Sequence, residues 1–198
     1  FLHPLFLGGY SGELQKYLKE QDMEPVTEEG DFEIMRRKVD FYGLNFYNGL
    51  YDNAEELRAR EKEQKEGGNY QDRPESHPEA IRDVLHMLVE KYKVDVPIYI
   101  TENGLPQDAG EGREKNLDDQ ERIDYVKDVL SALHEAMEDG IQVKGYYMWS
   151  LLDNFEWSAG YAARYGLYYT DYQTLERIPK KSAGWYRQVI AENGFDVE

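Results

Sequence analysis

The residue that points most directly to chemistry is Glu102, a carboxylate at the end of a short apolar run. Residues 97–104 read PIYITENG, and β-branched and aromatic residues bounded by Pro and Asn-Gly are typical of a buried strand followed by a turn. In parallel α/β sheets, chemistry takes place at the carboxyl ends of the strands. The position makes Glu102 a candidate site residue, although capping the turn or pairing with a basic neighbour explains it equally well.

Two further polar groups lie near the end of another predicted strand, residues 39–47 (VDFYGLNFY). The nearly continuous apolar run is typical of a strand covered on both faces. Asn45 and Tyr47 are two residues apart and therefore point to the same side. If the two strands are neighbours, the Tyr47 hydroxyl can stabilise the ionised form of Glu102. Purely structural roles for Asn45 and Tyr47 stay equally open.

A third predicted strand, residues 143–152, contains Trp149 and runs into a loop with an acid, Glu156, and a second tryptophan, Trp157. Indole faces stack on the apolar C–H face of a sugar, and carboxylates form paired hydrogen bonds with its hydroxyls. This combination is typical of a carbohydrate site. The third tryptophan, Trp185, lies in a predicted helix and is expected in the core.

The elements that must position these residues alternate along the chain. Helical spacing of apolar residues predicts helices over 78–93 and 118–139, which separate the three strands. Strands separated by helices form a parallel sheet, so the three strand ends are expected to converge. Local signals predict further features: helices over 13–19, 27–37 (with Thr27 as N-cap), 54–63 and 185–192 (capped by Ser182), a polar loop over 105–116 and a short strand extension or hairpin over 165–172.

Composition excludes several classes of function. The chain has 198 residues, 40 acidic against 23 basic, and a formal net charge of −17, which argues against binding to nucleic acid. The four histidines show no metal-ligand spacing, and no nucleotide-binding loop or serine nucleophile elbow is present. We therefore expect no cofactor and no metal.

The sequence also bears on the setting of the protein. No apolar run approaches the roughly 20 residues that span a bilayer, and no signal peptide opens the sequence. Without cysteines the chain has neither disulfides nor thiolate metal sites. The expectations are no membrane association and a cytoplasmic location. The sequence starts with Phe1 inside an apolar stretch, which suggests a fragment or a processed chain.

Long motifs make the sequence similar to glycoside hydrolase family 1, the β-glucosidases and their relatives. YITENG (residues 99–104) resembles the nucleophile motif of that family, and the similarity extends over FLHPLFLGGY (1–10), VDFYGLNFY (39–47) and the stretch from GYYMWSLLDNFEW to KKSAGWY (145–186). The resemblance implies an α/β fold, the C-terminal part (strands six to eight) of a (β/α)₈ TIM barrel, as one partial-barrel domain over residues 1–198.

The resemblance also implies catalytic roles. Glu102 would be the nucleophile of a retaining β-glycosidase that hydrolyses the β-glycosidic bonds of glucosides or oligosaccharides, and Asn45 and Tyr47 would orient the nucleophile and the substrate. The general acid/base of the family lies in a TxNEP motif, and no NEP occurs here. The glutamine of the first strand and the His-Trp of the third strand, both sugar contacts in the family, are also absent.

For the sugar, the resemblance implies that Trp149 forms the floor, that Glu156 binds outer hydroxyls, and that Trp157 donates from its indole N–H. Glu156-Trp157 stand where 6-phosphosugar enzymes carry Ser and Lys, which favours unphosphorylated sugars. The strands exposed at the open edges are expected to be covered by an N-terminal half of the barrel or by self-association. The alternative interpretation is a non-catalytic carbohydrate-binding or structural fragment.

Overall fold

The computed structural model describes residues 2–49 and 77–196; the predicted helix over 54–63 lies outside them. After a π-helical turn (His3–Leu7) come the helices and strands, in chain order: α1 (Gly12–Glu20), α2 (Asp31–Met35), β1 (Tyr42–Asn45), α3 (Ala80–Glu90), β2 (Ile98–Asn103), β3 (Gln107–Asp108), α4 (Arg113–Leu117), α5 (Gln120–Glu138), β4 (Val143–Met148), β5 (Ala163–Arg164), β6 (Tyr168–Thr170), β7 (Arg177–Pro179) and α6 (Lys181–Glu192).

The main sheet consists of β1, β2 and β4, in the order β1-β2-β4, and both pairs are parallel. Asn45 of β1 is opposite Glu102, and Asn103 is opposite Met148 of β4. The carboxyl ends of the three strands therefore lie side by side. The parallel sheet with intervening helices that the alternation predicted is confirmed.

One face of this sheet packs against α3 and α5 and forms the core. Ile98 and Ile100 of β2 are buried beneath Ile81 of α3 and Val126 of α5. Burial of such aliphatic side chains is the main driving force for this layer, about 1.5–3 kcal/mol for each one. The buried side of α5 includes Ile123, Val126 and Leu133, whereas Met137 near its C-terminal end is 48% exposed.

The opposite face of the sheet is open in the described part of the chain. Phe41 and Tyr147 are 55% and 57% exposed, and the ring of Phe41 meets Tyr99 edge to face at 5.4 Å. A Cβ at Gly43 would lie 3.1 Å from the Thr101 methyl group, so glycine permits that close approach. The expectation that residues 39–47 are covered on both faces is wrong within the described residues, because no described element packs on this side.

Several local predictions are also corrected. The third strand ends at Met148 rather than at residue 152, because the chain then pairs with residues 165–168: the Ser150 amide donates to the Tyr165 carbonyl and the Tyr168 amide to Leu151. Helix α2 begins after Gly30, so Thr27 is not its N-cap.

Three predictions near helix ends and turns are corrected in their residues or bounds. Ser182 lies inside α6, whose N-cap is Lys180, and its hydroxyl donates to Asp119 instead of capping the helix. The predicted polar loop over 105–116 contains β3 and most of α4. The predicted hairpin is present with different bounds, since β6 pairs antiparallel with β7.

Candidate active site

The strand ends bring Tyr47 and Glu102 together. The Phe46 amide donates to the Glu102 carbonyl at 2.9 Å, which fixes the two strand ends side by side. The Tyr47 hydroxyl then donates to Oε2 of Glu102 at 2.6 Å. Burial, followed by this hydrogen bond and the negative charge of Glu102, raises the pKa of Tyr47 far above its usual range. Tyr47 therefore stays protonated and acts as a donor to the carboxylate.

A single buried amide, Asn103, holds the three strand ends in register. Its Nδ2 donates to the Phe46 carbonyl at 2.7 Å and to the Tyr125 hydroxyl at 2.8 Å, while its Oδ1 accepts from the Tyr146 hydroxyl at 2.6 Å. The Tyr125 hydroxyl in turn donates to the Tyr47 carbonyl. The residue next to Glu102 thus connects β1, β2, β4 and α5.

This network is neutral. Burial raises the pKa of Tyr125 to about 12 and raises the pKa of Tyr146 well above its usual value. Both phenols are therefore uncharged donors at neutral and mildly alkaline pH, and their hydrogen bonds do not depend on pH in that range. We call Asn103, Tyr125 and Tyr146 the neutral network.

Asn45 lies across from Glu102 in the sheet, but its side chain is bonded elsewhere. Its Oδ1 accepts from the Thr101 hydroxyl at 2.6 Å, and Asn45 is exposed on the open face of the sheet. In this structure Asn45 contacts the residue before Glu102 rather than the carboxylate itself. Its role in orienting the nucleophile and the substrate stays a prediction.

Trp149 and Glu156 form a pair beside the strand ends. The Trp149 amide donates to the Asn103 carbonyl at 2.7 Å, which places Trp149 directly next to the end of β2. Its indole Nε1 lies 3.3 Å from Oε2 of Glu156 and donates to it. The charge of Glu156 also contributes to the raised pKa of Tyr47, so the two pairs share one site.

Trp157 differs from the other predicted site residues. It begins the short helical turn Trp157–Ala159 with a φ of 42°, and it is 82% exposed. A residue other than glycine in the left-handed region is uncommon and has a backbone cost. The indole is not part of the described core, and its expected hydrogen bond to a sugar stays a prediction.

Two residues that border the site were not singled out from the sequence. The ring of Tyr165 contacts that of Tyr47, with the centroids 5.9 Å apart. A Cβ at Gly104 would lie 2.1 Å from the Trp149 carbonyl oxygen, so only glycine permits this approach of the two backbones. The turn signal Asn103-Gly104 was visible in the sequence, but the close contact that it permits was not.

The described residues show neither a metal-binding cluster nor a membrane-spanning helix. They contain no group of three or more metal-ligating side chains that could hold an ion. Within the described ranges, no helix is both long enough and apolar enough to cross a membrane.

A carboxylate held by a phenol at the ends of parallel strands, next to a tryptophan–glutamate pair, is the site expected of an α/β glycosidase. The sequence model of Glycosyl hydrolase family 1 matches residues 1–195. The chain belongs to this family. It is 38% identical over 201 residues to the 1,4-beta-D-glucan glucohydrolase of Thermotoga neapolitana, a match that covers 98% of this chain and 44% of that protein.

Other comparisons agree in extent and in fold. The 6-phospho-beta-galactosidase of Staphylococcus haemolyticus is 36% identical over 95% of this chain and 46% of its own length. The solved family 1 β-glucosidase of Thermotoga maritima superposes with a TM-score of 0.77 at 33% identity, covering 99% of this chain and 44% of that one. The same enzyme has been solved in complex with deoxynojirimycin.

The fold predicted from the sequence, the C-terminal part of a (β/α)₈ barrel, is confirmed by these neighbours. This chain spans about 44% of the length of the Thermotoga proteins that it matches. The family includes β-glucosidases and 6-phospho-β-galactosidases, so membership by itself does not specify a sugar.

Proposed function

We propose that this chain supplies the nucleophile and the sugar-binding pocket of a retaining β-glycosidase that acts on β-glucosides or related oligosaccharides. The observation that carries the proposal is the 2.6 Å hydrogen bond from Tyr47 to Glu102. It fixes one carboxylate at the ends of three parallel strands, directly beside the Trp149–Glu156 pair. A glycosidase nucleophile must be ionised, fixed and aimed at the anomeric carbon.

The proposed reaction has two steps. Glu102 attacks the anomeric carbon and forms a glycosyl–enzyme ester as the bond to the leaving-group oxygen breaks, and water later cleaves that ester. Among the described residues, the hydrogen bond to Glu102 is made at Oε2 by Tyr47, which leaves Oε1 for the attack. Because Tyr47 stays protonated, it stabilises the carboxylate before attack and after its release.

A second carboxyl group must protonate the leaving oxygen, and in retaining enzymes it lies about 5–5.5 Å from the nucleophile. Among the described residues, Glu156 is a second carboxylate beside the site, in the loop after β4, but it accepts from the Trp149 indole. That bond suits a carboxylate that recognises sugar hydroxyls. We infer that the general acid/base comes from outside residues 1–198, and that the chain alone has little or no turnover.

The open face of the sheet supports a partner for this chain. Phe41 and Tyr147 are more than half exposed on that face, and β1 and β4 are the outer strands of the sheet. We propose that an N-terminal part of the barrel covers these residues and pairs with the outer strands. Self-association is the competing occupant, and sedimentation velocity of the chain with and without such a part separates the two.

The substrate proposal is an unphosphorylated sugar. A dianionic phosphate needs cationic or hydroxyl donors, whereas Glu156 places a carboxylate beside Trp149. A phosphate near Glu156 would meet charge repulsion, so the 6-phospho-β-galactosidase relative is the less suitable guide to specificity. The cytoplasmic location expected from the sequence stays a prediction.

A mechanism-based 2-fluoroglucoside tests the proposal. The chain is combined with the N-terminal part of the Thermotoga maritima relative, treated with the reagent, and analysed by peptide mass spectrometry. We expect one covalent label on Glu102 and no label in Glu102→Gln. Glu156→Gln is the matched control, because it neutralises the other carboxylate: labelling should be slower there but still on Glu102.

Each contrary result has a defined meaning. A label on Glu156 would show that Glu156, and not Glu102, is the nucleophile. Absence of label in an assembly that sediments as one complex and binds deoxynojirimycin would leave the alternative, a non-catalytic carbohydrate-binding fragment. Absence of both label and binding would refute the proposed sugar pocket.

A further inference from the structure

The segment that carries Trp149 and Glu156 is irregular, yet it is held firmly. It leaves β4 and pairs with residues 165–168: the Leu167 amide donates to the Ser150 carbonyl at 2.8 Å, and the Tyr168 amide to Leu151 at 3.0 Å. We call residues 149–156 the sugar segment. A binding group on a loop is only as precise as the contacts behind it, so the question is what fixes this segment.

Asp153, in the middle of the sugar segment, has a fully buried carboxylate. Its Oδ1 accepts from Nζ of Lys180 at 2.9 Å and from the Gly166 amide at 2.9 Å. Its Oδ2 accepts from Nη1 of Arg164 at 2.7 Å and from the Thr170 amide at 3.3 Å. The four donors come from three separate parts of the chain and satisfy both oxygens.

The donors are themselves fixed. The guanidinium of Arg164 lies over the rings of Tyr169 and Tyr172, at 4.3 and 4.7 Å from their centroids. Lys180 also reaches Oε1 of Gln107 on β3 at 3.4 Å. Rigid partners on both sides mean that a displacement of Asp153 breaks several bonds at once.

The same cluster continues to the start of α5. Arg122 is buried, pairs with Asp119 at 2.8 Å, and donates to the Tyr165 carbonyl at 2.5 Å and to the Arg164 carbonyl at 3.0 Å. The cluster thus contains three cations, Arg122, Arg164 and Lys180, against two anions, Asp119 and Asp153. We call these five residues the charged cluster.

We propose that Asp153, held by Lys180 and Arg164, is a positioning residue that sets where Trp149 and Glu156 meet the sugar. Asp153 lies four residues after Trp149 and three before Glu156, and its four bonds hold the segment against β5, β6 and the residue before α6. Its carboxylate points to the cations of the charged cluster and not to the site. The sugar-binding role in this inference rests on the proposed function, but the mechanical part, the fixing of residues 149–156, does not.

Because the charged cluster has an excess of positive charge, the fixing of the sugar segment by Asp153 and Lys180 depends on pH. Burial, together with the charge of Arg122, lowers the pKa of Lys180 to about 8, although Asp153 and Asp119 oppose the shift. Its Nζ contacts Asp153 and Gln107, and the charges of Arg122 and Asp119 also act on it. Above pH 8 Lys180 loses its charge, and its contact with Asp153 weakens from an ion pair to a hydrogen bond between a neutral amine and a carboxylate.

Amide hydrogen exchange on this chain tests the mechanical part. In Asp153→Asn, the Asn side chain sets an N–H donor against the donors that the carboxylate served. We expect the amides of Ser150, Leu167 and Tyr168 to exchange at least tenfold faster relative to the Phe46 amide, which reports on β1 and β2. Asp171→Asn is the matched control: that carboxylate also accepts from two backbone amides, of Gln173 and Thr174, but outside the sugar segment.

Substrate discrimination in the assembled enzyme tests the positioning part. The readout is the ratio of kcat/KM for 4-nitrophenyl β-glucoside to kcat/KM for 4-nitrophenyl β-galactoside. The two substrates differ in the configuration of one outer hydroxyl, and the ratio does not depend on the folded fraction. Asp153→Asn should change this ratio about tenfold, and Asp171→Asn should leave it within about twofold. In the parent chain the ratio should drift above pH 8, and in Lys180→Met it should not.

The outcomes separate this inference from the proposed function. An unchanged ratio in an active Asp153→Asn assembly, or equal acceleration of exchange at all amides, overturns the positioning role. If no assembly turns over, the proposed function fails while the exchange result still decides whether Asp153 fixes the segment. If Asp153→Asn does not fold, Lys180→Met replaces it, since that variant keeps Arg164 and both backbone bonds, and a smaller shift in the same direction is required.

Discussion

The two halves of the candidate site are held by opposite kinds of chemistry. The strand ends with Tyr47 and Glu102 are tied by the neutral network, in which one amide bonds to two phenols and to the Phe46 carbonyl. The sugar segment is tied by the charged cluster, in which two carboxylates serve three buried cations. Both arrangements connect residues that are far apart in the sequence, but they respond differently to mutation and to pH.

The difference has an energetic origin. A neutral buried hydrogen bond contributes about 1 kcal/mol net, and an unpaired partner costs about 1–3 kcal/mol. Removing one member of a buried ion pair costs about 3–5 kcal/mol, because a charge is left without compensation. We therefore expect the strand ends that carry the proposed nucleophile to be held by bonds that do not depend on pH around neutrality, while the segment proposed to bind the sugar depends on the ionisation of Lys180.

The largest effect is expected for Asp119→Asn. Asp119 and Arg122 are both fully buried, and the carboxylate also accepts from the Ser182 amide and hydroxyl at 2.8 and 2.5 Å. The free energy of unfolding should fall by about 3–5 kcal/mol, as measured by urea denaturation. Asp118→Asn is the control, because its exposed pair with Lys181 is solvated; an equal loss in both variants would contradict the role given to burial.

The neutral network should be less sensitive. Asn103→Ala leaves the Phe46 carbonyl and the hydroxyls of Tyr125 and Tyr146 without their shared partner, and we expect a loss of about 3 kcal/mol in urea. Asn154→Ala, an amide whose bonds are local and partly exposed, should cost clearly less. Glu102 should lose its fixed position as well, so 2-fluoroglucoside labelling of the assembly should slow more than stability explains.

A single hydroxyl of the neutral network is a finer test. Tyr146→Phe removes one 2.6 Å bond to Asn103 and should cost about 1 kcal/mol, with no pH dependence between pH 6 and 9. Tyr147→Phe, the adjacent tyrosine, is 57% exposed and should be neutral. A stability difference between the parent chain and Tyr146→Phe that changes with pH would show that the network is not neutral.

The smallest effect at neutral pH, about 1 kcal/mol or less, is expected for Lys180→Met. Asp153 stays paired with Arg164 in this variant, and the substitution removes the excess cation of the charged cluster, so no buried charge is left without compensation. The pKa of Lys180 is lowered from 10.5 to about 8 in the folded protein. Between these values the unfolded chain holds the proton and the folded one does not, so the contribution of Lys180 to stability rises with pH.

The stability of the parent chain relative to Lys180→Met should therefore increase from pH 8 to pH 10, as measured by urea titrations at several pH values. Lys181→Met changes the neighbouring, exposed lysine and should show no such trend. A parallel pair of curves for the parent chain and Lys180→Met would contradict the lowered pKa.

Prediction from the sequence succeeded where the signal was local. Residues 98–101 and the helices around them follow from β-branched content and helical spacing, and Glu102 follows as the carboxylate at that strand end. It failed at the ends of elements. The third strand stops at Met148 because Ser150 and Leu151 find partners at 165–168, and Ser182 serves Asp119 rather than its own helix.

The sequence by itself determined the alternation of strands and helices, the acid at the second strand end and the tryptophan-rich loop after the third, since each depends on neighbouring residues. Only the tertiary structure decided which groups hold them. Asn103 meets Tyr146 across 43 residues, and Asp153 meets Lys180 across 27. No local pattern encodes such pairs, because they depend on the distances between elements once the sheet and helices have packed.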